Sequence, residues 1–333
     1  MSHPGPNVPP ARGAHARDLL ALLGKGRPVA GAELATQLGL SRAAVWKQVE
    51  QLRAQGLPVA ARRGRGYCLP WPVELLDAGR IRALCRSSNV PLEVHWSLDS
   101  TSSECRRRAG DLADGAIVLA EVQQAGRGRR GRRWISPPGL NVYLSCMKRF
   151  DRGFAGLSGL SLAVGVVLVA SLHELGIRGL GLKWPNDVLV TDTGAKLAGV
   201  LVELSGEYQG PSTAVIGIGL NLRLPLALRE QAGQPVADLG DLADPVPGRN
   251  RIVANLADHL REGLARFDTE GFAAFAADYA RLDILRGRHV RVSTRQESYE
   301  AIGDGVDAHG ALCLRRDGQH LRVDSAEVSV RSA

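Results

Sequence analysis

The sequence predicts an α+β protein with three domains: an N-terminal winged helix-turn-helix, a central domain built on a mixed, mainly antiparallel sheet, and a C-terminal SH3-like β-barrel. Three observations carry this prediction. Positive charge is concentrated in the first 70 residues, helix-like and strand-like runs mix through the middle of the chain, and five short alternating runs close it. We place a disordered, Pro-rich tail at residues 1–14 and the three domains at residues 15–70, 71–284 and 285–331.

Composition limits the classes of protein that fit. The 333 residues exceed one ordinary domain, and a hydrophobic content of 44% supports buried cores. Five cysteines form no CxxC pair and are odd in number, which disfavours a disulfide framework or a zinc knuckle and favours a reducing compartment. The most apolar stretch, residues 160–172, is too short to span a bilayer, and the N-terminus has no signal-peptide pattern. We therefore expect a soluble, cytoplasmic protein with no membrane partner.

The first domain carries most of the net positive charge. Residues 1–70 hold eight Arg and two Lys against three acidic residues, which accounts for seven of the eight net positive charges of the chain. Such asymmetry indicates a nucleic-acid-binding module joined to a nearly neutral remainder. We expect helices over residues 16–23, over 31–39 and from the N-cap Ser41 to about Gln55, followed by an Arg-rich hairpin over 59–69.

The third of these helices predicts a surface that contacts DNA. Val45, Val49 and Leu52 repeat at helical spacing and should face the core, which turns the opposite side outward. A tight helix pair whose second helix presents small and basic residues matches helix-turn-helix geometry, with the hairpin as a wing over the phosphate backbone. The residues expected to contact DNA are Ser41, Arg42, Ala43, Trp46, Lys47, Arg62, Arg63 and Arg65. A small helical domain that docks on protein is the alternative, and a single Trp on a helix is more often packed than in contact with bases.

The centre of the chain predicts an antiparallel sheet with helices on one face. Residues 156–175 read as a buried helix, and residues 252–263 and 272–282 as closing helices. Strand-like runs separated by short turns imply antiparallel pairing. These runs lie at residues 116–122, 180–184, 188–190, 197–204 and 214–224.

A cationic loop follows the first of those runs. Residues 126–134 read Gly-Arg-Gly-Arg-Arg-Gly-Arg-Arg-Trp, with five guanidinium groups and three glycines in nine residues. Glycine lets the backbone approach a ligand closely, and Arg presents a planar set of donors that fits phosphate or carboxylate oxygens. The loop therefore predicts a flexible flap over an anionic ligand, with a solvated basic loop or a nucleic-acid-binding arm as the alternative.

The end of the chain predicts a small β domain. Short alternating runs occur at residues 289–292, 299–302, 311–314, 320–323 and 328–330, with Gly-containing turns between them. Five strands in about 45 residues fit an SH3-like barrel. The runs alone also fit a purely structural cap.

Several motifs together resemble the biotin protein ligases. The flap, Glu-Val-Gln-Gln-Ala at 121–125, Leu-Lys-Trp-Pro-Asn-Asp-Val at 182–188 and Lys-Leu-Ala-Gly-Val-Leu-Val-Glu at 196–203 are similar to that family's catalytic domain in order and spacing. Ser-Arg-Ala-Ala-Val-Trp-Lys at 41–47 and Gly-Arg-Gly-Tyr at 64–67 resemble the DNA-binding domain of its bifunctional form, the biotin operon repressor. The resemblance covers about residues 15 to 331.

This resemblance implies an enzyme and a regulator in one chain. The enzyme would use biotin and ATP, with Mg²⁺, to form biotinyl-5'-AMP and would transfer biotin to a lysine of the biotin carboxyl carrier protein. The regulator would bind operator DNA as a homodimer, with biotinyl-AMP as corepressor of biotin synthesis genes. No nucleophile, base and orienting-acid series stands out, which fits a reactive mixed anhydride that needs positioning more than covalent catalysis.

The resemblance also implies the site residues. Arg129 and Lys183 are the expected catalytic cations, because carboxylate and phosphate charges must be brought together. The expected biotin-binding residues are Ser100, Thr101, Ser102, Gln123, Arg127, Gly128, Arg129 and Lys183, and the expected nucleotide-binding residues are Arg129, Trp134, Asn186 and Asn221. Ser102 departs from the family, where Asn is usual, which puts a contact from this position in doubt. Without the family resemblance, residues 100–103 would be interpreted as an ordinary loop or helix N-cap. Lys183 would be interpreted as a surface lysine, and Asn221 as a residue that forms a turn.

Two other functions fit parts of the chain. One is a biotin or lipoate ligase without regulatory DNA binding, and the other is a catalytically inactive transcription factor that senses a metabolite. The basic helix and wing count against a ligase without DNA binding, and the complete flap and Lys-Trp-Pro-Asn motif count against an inactive transcription factor.

Overall fold

The structure, a computed structural model, describes residues 14–206, 210–293, 297–324 and 329–332. The tail expected at residues 1–14 falls outside this range except for Ala14, which begins the first helix. Val328, expected in the last strand, also lies outside the described residues.

The N-terminal domain contains three helices and a hairpin, as expected. Ser41 caps the third helix, because its Oγ accepts a hydrogen bond from the Ala44 N–H at 3.1 Å. Val45, Val49 and Leu52 are buried against leucines of the first helix. The elements are α1 (Ala14–Leu23), α2 (Gly31–Leu38), α3 (Arg42–Ala54), β1 (Ala60–Arg62) and β2 (Gly66–Cys68).

The central domain is built on a seven-stranded sheet. Its elements are α4 (Ala78–Leu84), β3 (Leu92–Leu98), α5 (Thr101–Arg107), β4 (Ile117–Gln123), β5 (Val142–Phe150), α6 (Leu160–Glu174), β6 (Leu180–Lys183), β7 (Asp187–Val190), β8 (Lys196–Gly206), β9 (Ser212–Leu220), α7 (Leu226–Gln231), α8 (Arg249–Glu270) and α9 (Ala276–Leu282). The strand order is β3-β4-β5-β9-β8-β7-β6. Only β3 and β4 pair in parallel among the described strands of this sheet, and the other neighbours are antiparallel.

The two faces of this sheet differ. Alternate residues of β5 and β9, such as Leu144 and Ile218, pack into the main core with α6 and α8. The other face carries Ser145, Gly217 and Gly219; α5 covers part of it, and the Trp134 indole stands over Gly219. The expectation that the helices lie on one face is therefore wrong for α5, because parallel β3 and β4 need a crossover connection. A cavity opens on this second face.

Helix α6 is apolar enough to raise the question of a membrane. Among the described residues, one helical stretch, Phe154–Glu174, has the length and composition to cross a bilayer. Most of its side chains are buried, and it packs between the sheet and α8. It is thus the central core helix of the domain.

The C-terminal domain is a five-stranded antiparallel sheet in the order β13-β12-β11-β10-β14. Its strands are β10 (His289–Ser293), β11 (Ser298–Val306), β12 (Leu312–Arg316), β13 (Gln319–Val323) and β14 (Ser329–Ser332). Val290 and Leu312 join the core of the central domain. Trp184 is 2% exposed, and its Nε1–H donates to the Gly310 carbonyl at 3.0 Å. This contact ties the turn between β11 and β12 to the residue that follows Lys183.

Candidate active site and DNA-binding surface

A cavity of about 890 Å³ opens on the partly uncovered face of the central sheet. Its walls are the start of α5, the end of β4, the flap, residues 183–187 and the segment from Gln231 to Pro235. Its floor includes Gly199, Gly217 and Gly219. Glycine is needed at 219 because a Cβ there would lie 2.6 Å from Cζ2 of Trp134.

Neutral polar groups line one end of the cavity. The hydroxyl of Ser145 lies 2.7 Å from Oγ1 of Thr101 and 2.9 Å from Oγ of Ser102. Gln123 Oε1 accepts from the Thr101 N–H at 3.0 Å, and Gln123 Nε2 donates to Oγ of Ser136 at 3.0 Å. The structure thus brings together three of the expected biotin-binding residues, Thr101, Ser102 and Gln123, in a network of hydroxyls and one amide, with Ser100 beside them.

The start of α5 is fixed by local bonds. Ser100 is the N-cap, and its Oγ accepts from the Ser103 N–H at 3.5 Å. Its own N–H donates to Oδ1 of Asp99 at 2.7 Å. The Arg107 guanidinium bonds both carboxylate oxygens of Asp99 and holds its pKa at about 2. Ser100 therefore both caps the helix and lines the cavity.

The flap forms a closed loop at the other end. The Trp134 N–H donates to the Gly126 carbonyl at 2.8 Å, and the Gly128 N–H donates to the Arg132 carbonyl at 2.7 Å. Gly126 permits this closure, because a Cβ there would lie 2.6 Å from the Trp134 carbonyl oxygen. At the tip Arg130 adopts a left-handed φ of 59°.

Cations of the flap and the sheet surround this end of the cavity. Arg127 makes two bonds to Glu203, at 3.0 and 2.7 Å, and Nη1 of Arg129 donates to Oδ1 of Asn186 at 3.4 Å. Burial lowers the pKa of Arg129, nearby Arg side chains lower it further, and Asp187 opposes them. Lys183 lines the same wall at the end of β6. The guanidinium of Arg129 is therefore partly desolvated next to an open space, which strengthens its attraction for an anion.

Lys196 belongs to this group, although the sequence did not single it out as a site residue. Its Nζ lies 2.7 Å from Oδ1 of Asp187 and 5.3 Å from the centroid of the Trp134 ring. The indole stands over Gly199 and Gly219 on the cavity floor. The Trp134 Nε1 is buried and has no hydrogen-bond partner within the described part of the chain. An aromatic face, a cation and an unused donor thus meet at one place.

The structure separates the two asparagines expected at the nucleotide. Asn186 lines the cavity, and its Nδ2 donates to the Val200 carbonyl at 2.8 Å. Asn221 is buried outside the cavity lining, and its Nδ2 donates to the Ala237 carbonyl at 3.1 Å. Asn221 therefore holds a loop against the end of β9, and we correct the sequence interpretation to leave it out of the site. Ser136 and Ser145 do not line the cavity, but they bond to the lining residues Gln123, Thr101 and Ser102. Single serines in a loop and in a strand carry no sequence signal of their own.

The expected DNA-contacting residues form one exposed surface on α3 and the wing. The eight residues are Ser41, Arg42, Ala43, Trp46, Lys47, Arg62, Arg63 and Arg65, and all are exposed. Within the described residues the five basic side chains of this group take part in no ion pair. The acidic side chains nearby are neutralised: Glu33 by Arg27 at 3.3 Å and Glu50 by Arg53 at 2.6 Å. The surface is thus positively charged without compensation.

A contact links α3 to the cavity wall. Gly56, just after α3, faces Leu228 of α7, and a Cβ at Gly56 would lie 2.8 Å from Cδ1 of Leu228. Helix α7 leads directly into residues 231–235, which line the cavity. The segment that follows α3 is therefore linked to the wall of the cavity through one short helix, α7.

Comparisons with known proteins define the class. A family model described as "Biotin/lipoate A/B protein ligase family" matches residues 97–221, an "HTH domain" model matches 15–68, and a "Biotin protein ligase C terminal domain" model matches 286–331. The class is therefore a biotin/lipoate-type protein ligase that carries an N-terminal helix-turn-helix domain.

Relatives narrow this to one family. The Bifunctional ligase/repressor BirA of Salmonella typhimurium is 39% identical over 95% of this chain and 97% of its own length, and that of Escherichia coli is 38% identical with the same coverage. The chain belongs to the family of bifunctional biotin ligase/repressors. A biotin protein ligase structure from Aquifex aeolicus, in complex with biotin and ATP, covers 73% of this chain and 99% of its own with a TM-score of 0.63. At 24% identity this likeness shows the fold alone. The family and fold class expected from the sequence are confirmed.

Proposed function

We propose that this protein forms biotinyl-5'-AMP from biotin and ATP, transfers biotin to a carrier-protein lysine, and represses transcription when the adenylate is bound. The observation that carries the proposal is the two-ended cavity. Neutral hydrogen-bonding groups line one end of the cavity, and cations and an aromatic ring line the other end. This arrangement suits a neutral ring joined through a carboxylate to a nucleotide.

The neutral end takes the ureido ring of biotin. Thr101 and Ser102 offer hydroxyls that donate or accept, and the buried Ser145 hydroxyl bonds to both of them. Gln123 offers both an amide donor and an acceptor. Such groups in a buried pocket fix a ligand's orientation. Ser102 reaches Ser145 and through it Thr101, so the missing Asn amide is replaced by a shorter hydroxyl network.

The cationic end carries out adenylation. An oxygen of the biotin carboxylate attacks the α-phosphorus of ATP, the bond from that phosphorus to the bridging oxygen breaks, and pyrophosphate leaves. Two anions must approach for this step, so Arg129 and Lys183 hold the carboxylate and the α-phosphate together. Trp134 and Asn186 position the nucleotide, and Arg127 and Gly128 close the flap over the acid chain. The flap excludes water from the reactive anhydride.

ATP enters as its Mg²⁺ complex. Within the described ranges no cluster of three metal-ligating side chains exists. Asp187, on the cavity wall, is paired with Lys196 at 2.7 Å. Mg²⁺ would therefore be held mainly by the phosphates, as this ion commonly is, and would neutralise part of their charge. The transfer of biotin to the carrier lysine involves no polyphosphate, so it does not need Mg²⁺. The lysine amine nitrogen attacks the acyl carbon of biotinyl-AMP and loses a proton, and the bond from that carbon to the AMP oxygen breaks, so that AMP leaves.

Labelling of an isolated carrier domain tests the enzyme. We expect the purified protein to add one biotinyl group, detected by mass spectrometry, only when both biotin and ATP are present. An acceptor whose target lysine is changed to Arg is the matched control. Replacing biotin with lipoate in the same assay distinguishes a biotin ligase from a lipoate ligase. Labelling with lipoate alone, or none with either acid, contradicts the proposal.

The regulatory half rests on the uncompensated cations of α3 and the wing. One winged helix covers a half-site, so stable binding at cellular salt calls for two linked copies on a palindrome. We infer that biotinyl-AMP promotes the homodimer, with the ordered flap as the coupling element and with α7 as the contact to α3. The carrier protein then competes with the second subunit, which links repression to biotin demand.

Sedimentation and gel-shift titration across ligand states test this half. We expect the dimer and operator affinity to rise together when biotin and ATP are added, and neither to rise with biotin and no nucleotide. If the adenylate changes neither, the protein is a ligase without regulatory DNA binding. We place it in the cytoplasm, where ATP and carrier protein are available; its five cysteines are unpaired.

A further inference from the structure

One large apolar side chain projects from the DNA-facing side of α3. Trp46 is 57% exposed, whereas each of the other four tryptophans is buried or half-buried. An indole that stays in water loses the stabilisation that burial would give it. An exposed Trp on a recognition helix therefore points to a partner that covers it.

The neighbours of Trp46 indicate the chemistry of that partner. Arg42 lies one turn before it, Lys47 directly after it, and both are exposed. Neither forms an ion pair within the described part of the chain. Ala43, also one turn before, is too small to shield the indole. An apolar ring inside an uncompensated cationic surface suits a polyanion that also presents an apolar group.

The major groove of DNA meets both conditions. Phosphates attract Arg42 and Lys47, and the C5-methyl of thymine is the one apolar group that a base pair presents there. Trp46 lies in the N-terminal half of α3, the part of a recognition helix that contacts base edges. We infer that Trp46 is a specificity-determining residue that covers a thymine methyl in each operator half-site. This inference rests on the DNA binding proposed above.

Removal of single methyl groups tests it. Operator duplexes are first selected from random-sequence DNA with the full-length protein, biotin and ATP. Each thymine is then replaced by deoxyuridine, which lacks only the methyl. For the wild type we expect one position per half-site to weaken binding by about three- to fivefold, the value of one buried methyl.

Variants of Trp46 test whether the indole causes the loss of affinity on replacement of thymine by deoxyuridine, called the deoxyuridine penalty. Trp46→Ala should bind thymine and deoxyuridine duplexes equally, and Trp46→Phe should keep part of the difference. Lys47→Ala is the matched control: it should weaken all duplexes alike and keep the penalty. Thermal unfolding checks that each variant is folded.

Two failures can be told apart. If the deoxyuridine penalty is the same in the wild type and in Trp46→Ala, or is absent from the wild type, the indole does not read a methyl, while specific DNA binding stands. If no sequence is enriched in any ligand state, the proposed repressor function fails and this inference fails with it.

Discussion

Gly219→Ala tests the position of Trp134 at the nucleotide end of the cavity. A Cβ at residue 219 would lie 2.6 Å from Cζ2 and 2.7 Å from Nε1 of Trp134. Strand β9 is hydrogen-bonded on both sides, by β5 and β8, so its backbone cannot retreat. The indole must instead move away by roughly 1 Å to restore an ordinary contact.

The expected effect on ligand affinity follows from the proposed stacking of the Trp134 indole on the base of the nucleotide. Overpacking of this kind costs about 1–3 kcal/mol. Loss of an aromatic stack on a base costs about 1–3 kcal/mol, or about 5- to 150-fold in Kd. We therefore expect Gly219→Ala to weaken binding of biotinyl-AMP within that range and to change binding of biotin alone by less than about twofold, because the biotin end lies at α5.

Calorimetric titration with biotin and with biotinyl-AMP measures both effects. Gly110→Ala is the matched control, since a Cβ at Gly110 meets nothing within 4 Å. Trp134→Ala empties the space that the new methyl needs, so the double variant should bind no worse than Trp134→Ala alone. Wild-type adenylate affinity in Gly219→Ala, an equal loss for biotin, or additive losses in the double variant would each contradict a stack of the Trp134 indole on the nucleotide.

Four further results are expected. Lys183→Ala and Arg129→Ala should slow pyrophosphate release by about 100- to 1,000-fold, because each removes a charged donor from the reacting centre; wild-type rates would remove the roles assigned here. Gln123→Ala should weaken biotin binding by roughly tenfold in calorimetry, because Thr101 loses its acceptor and the ligand loses an amide; unchanged affinity would place biotin elsewhere. Chelation of Mg²⁺ should stop pyrophosphate release but leave transfer from preformed biotinyl-AMP intact, and chelator-resistant adenylation would contradict the metal assignment. Gly56→Ala should lower the free energy of unfolding by about 1–2 kcal/mol in urea titration, because φ there is +96° and the methyl meets Leu228; a value equal to that of Gly110→Ala would contradict it.

Much of the fold could be predicted where local patterns decide it. In the first domain, α2 ends at the C-cap Gly39 and α3 begins after the N-cap Ser41. The strands expected at residues 180–184, 188–190 and 197–204 are β6, β7 and β8. The flap could be recognised because five Arg and three Gly in nine residues cannot form a core. These features depend on neighbours in the chain.

The features that could not be predicted depend on distant contacts. The strand at Leu92–Leu98 is half-buried along most of its length and lies at the sheet edge, so its pattern is weak. Ser145 joins the site only because β5 pairs with β4 and α5 crosses above them. Asn221 resembles a ligand-binding residue in sequence, but its amide is used by a carbonyl 16 residues away. Nothing local to these side chains distinguishes a ligand contact from a structural bond.

We propose that this cavity makes biotinyl-AMP and retains it. The most direct measurement is a single turnover of purified protein with biotin and ATP and no acceptor, followed by mass spectrometry of the bound small molecule. We expect one protein-bound biotinyl-AMP and one released pyrophosphate per chain, with biotin transferred when a carrier domain is added. Recovery of unreacted biotin and ATP, or of pyrophosphate without a bound biotinyl-AMP, would contradict it.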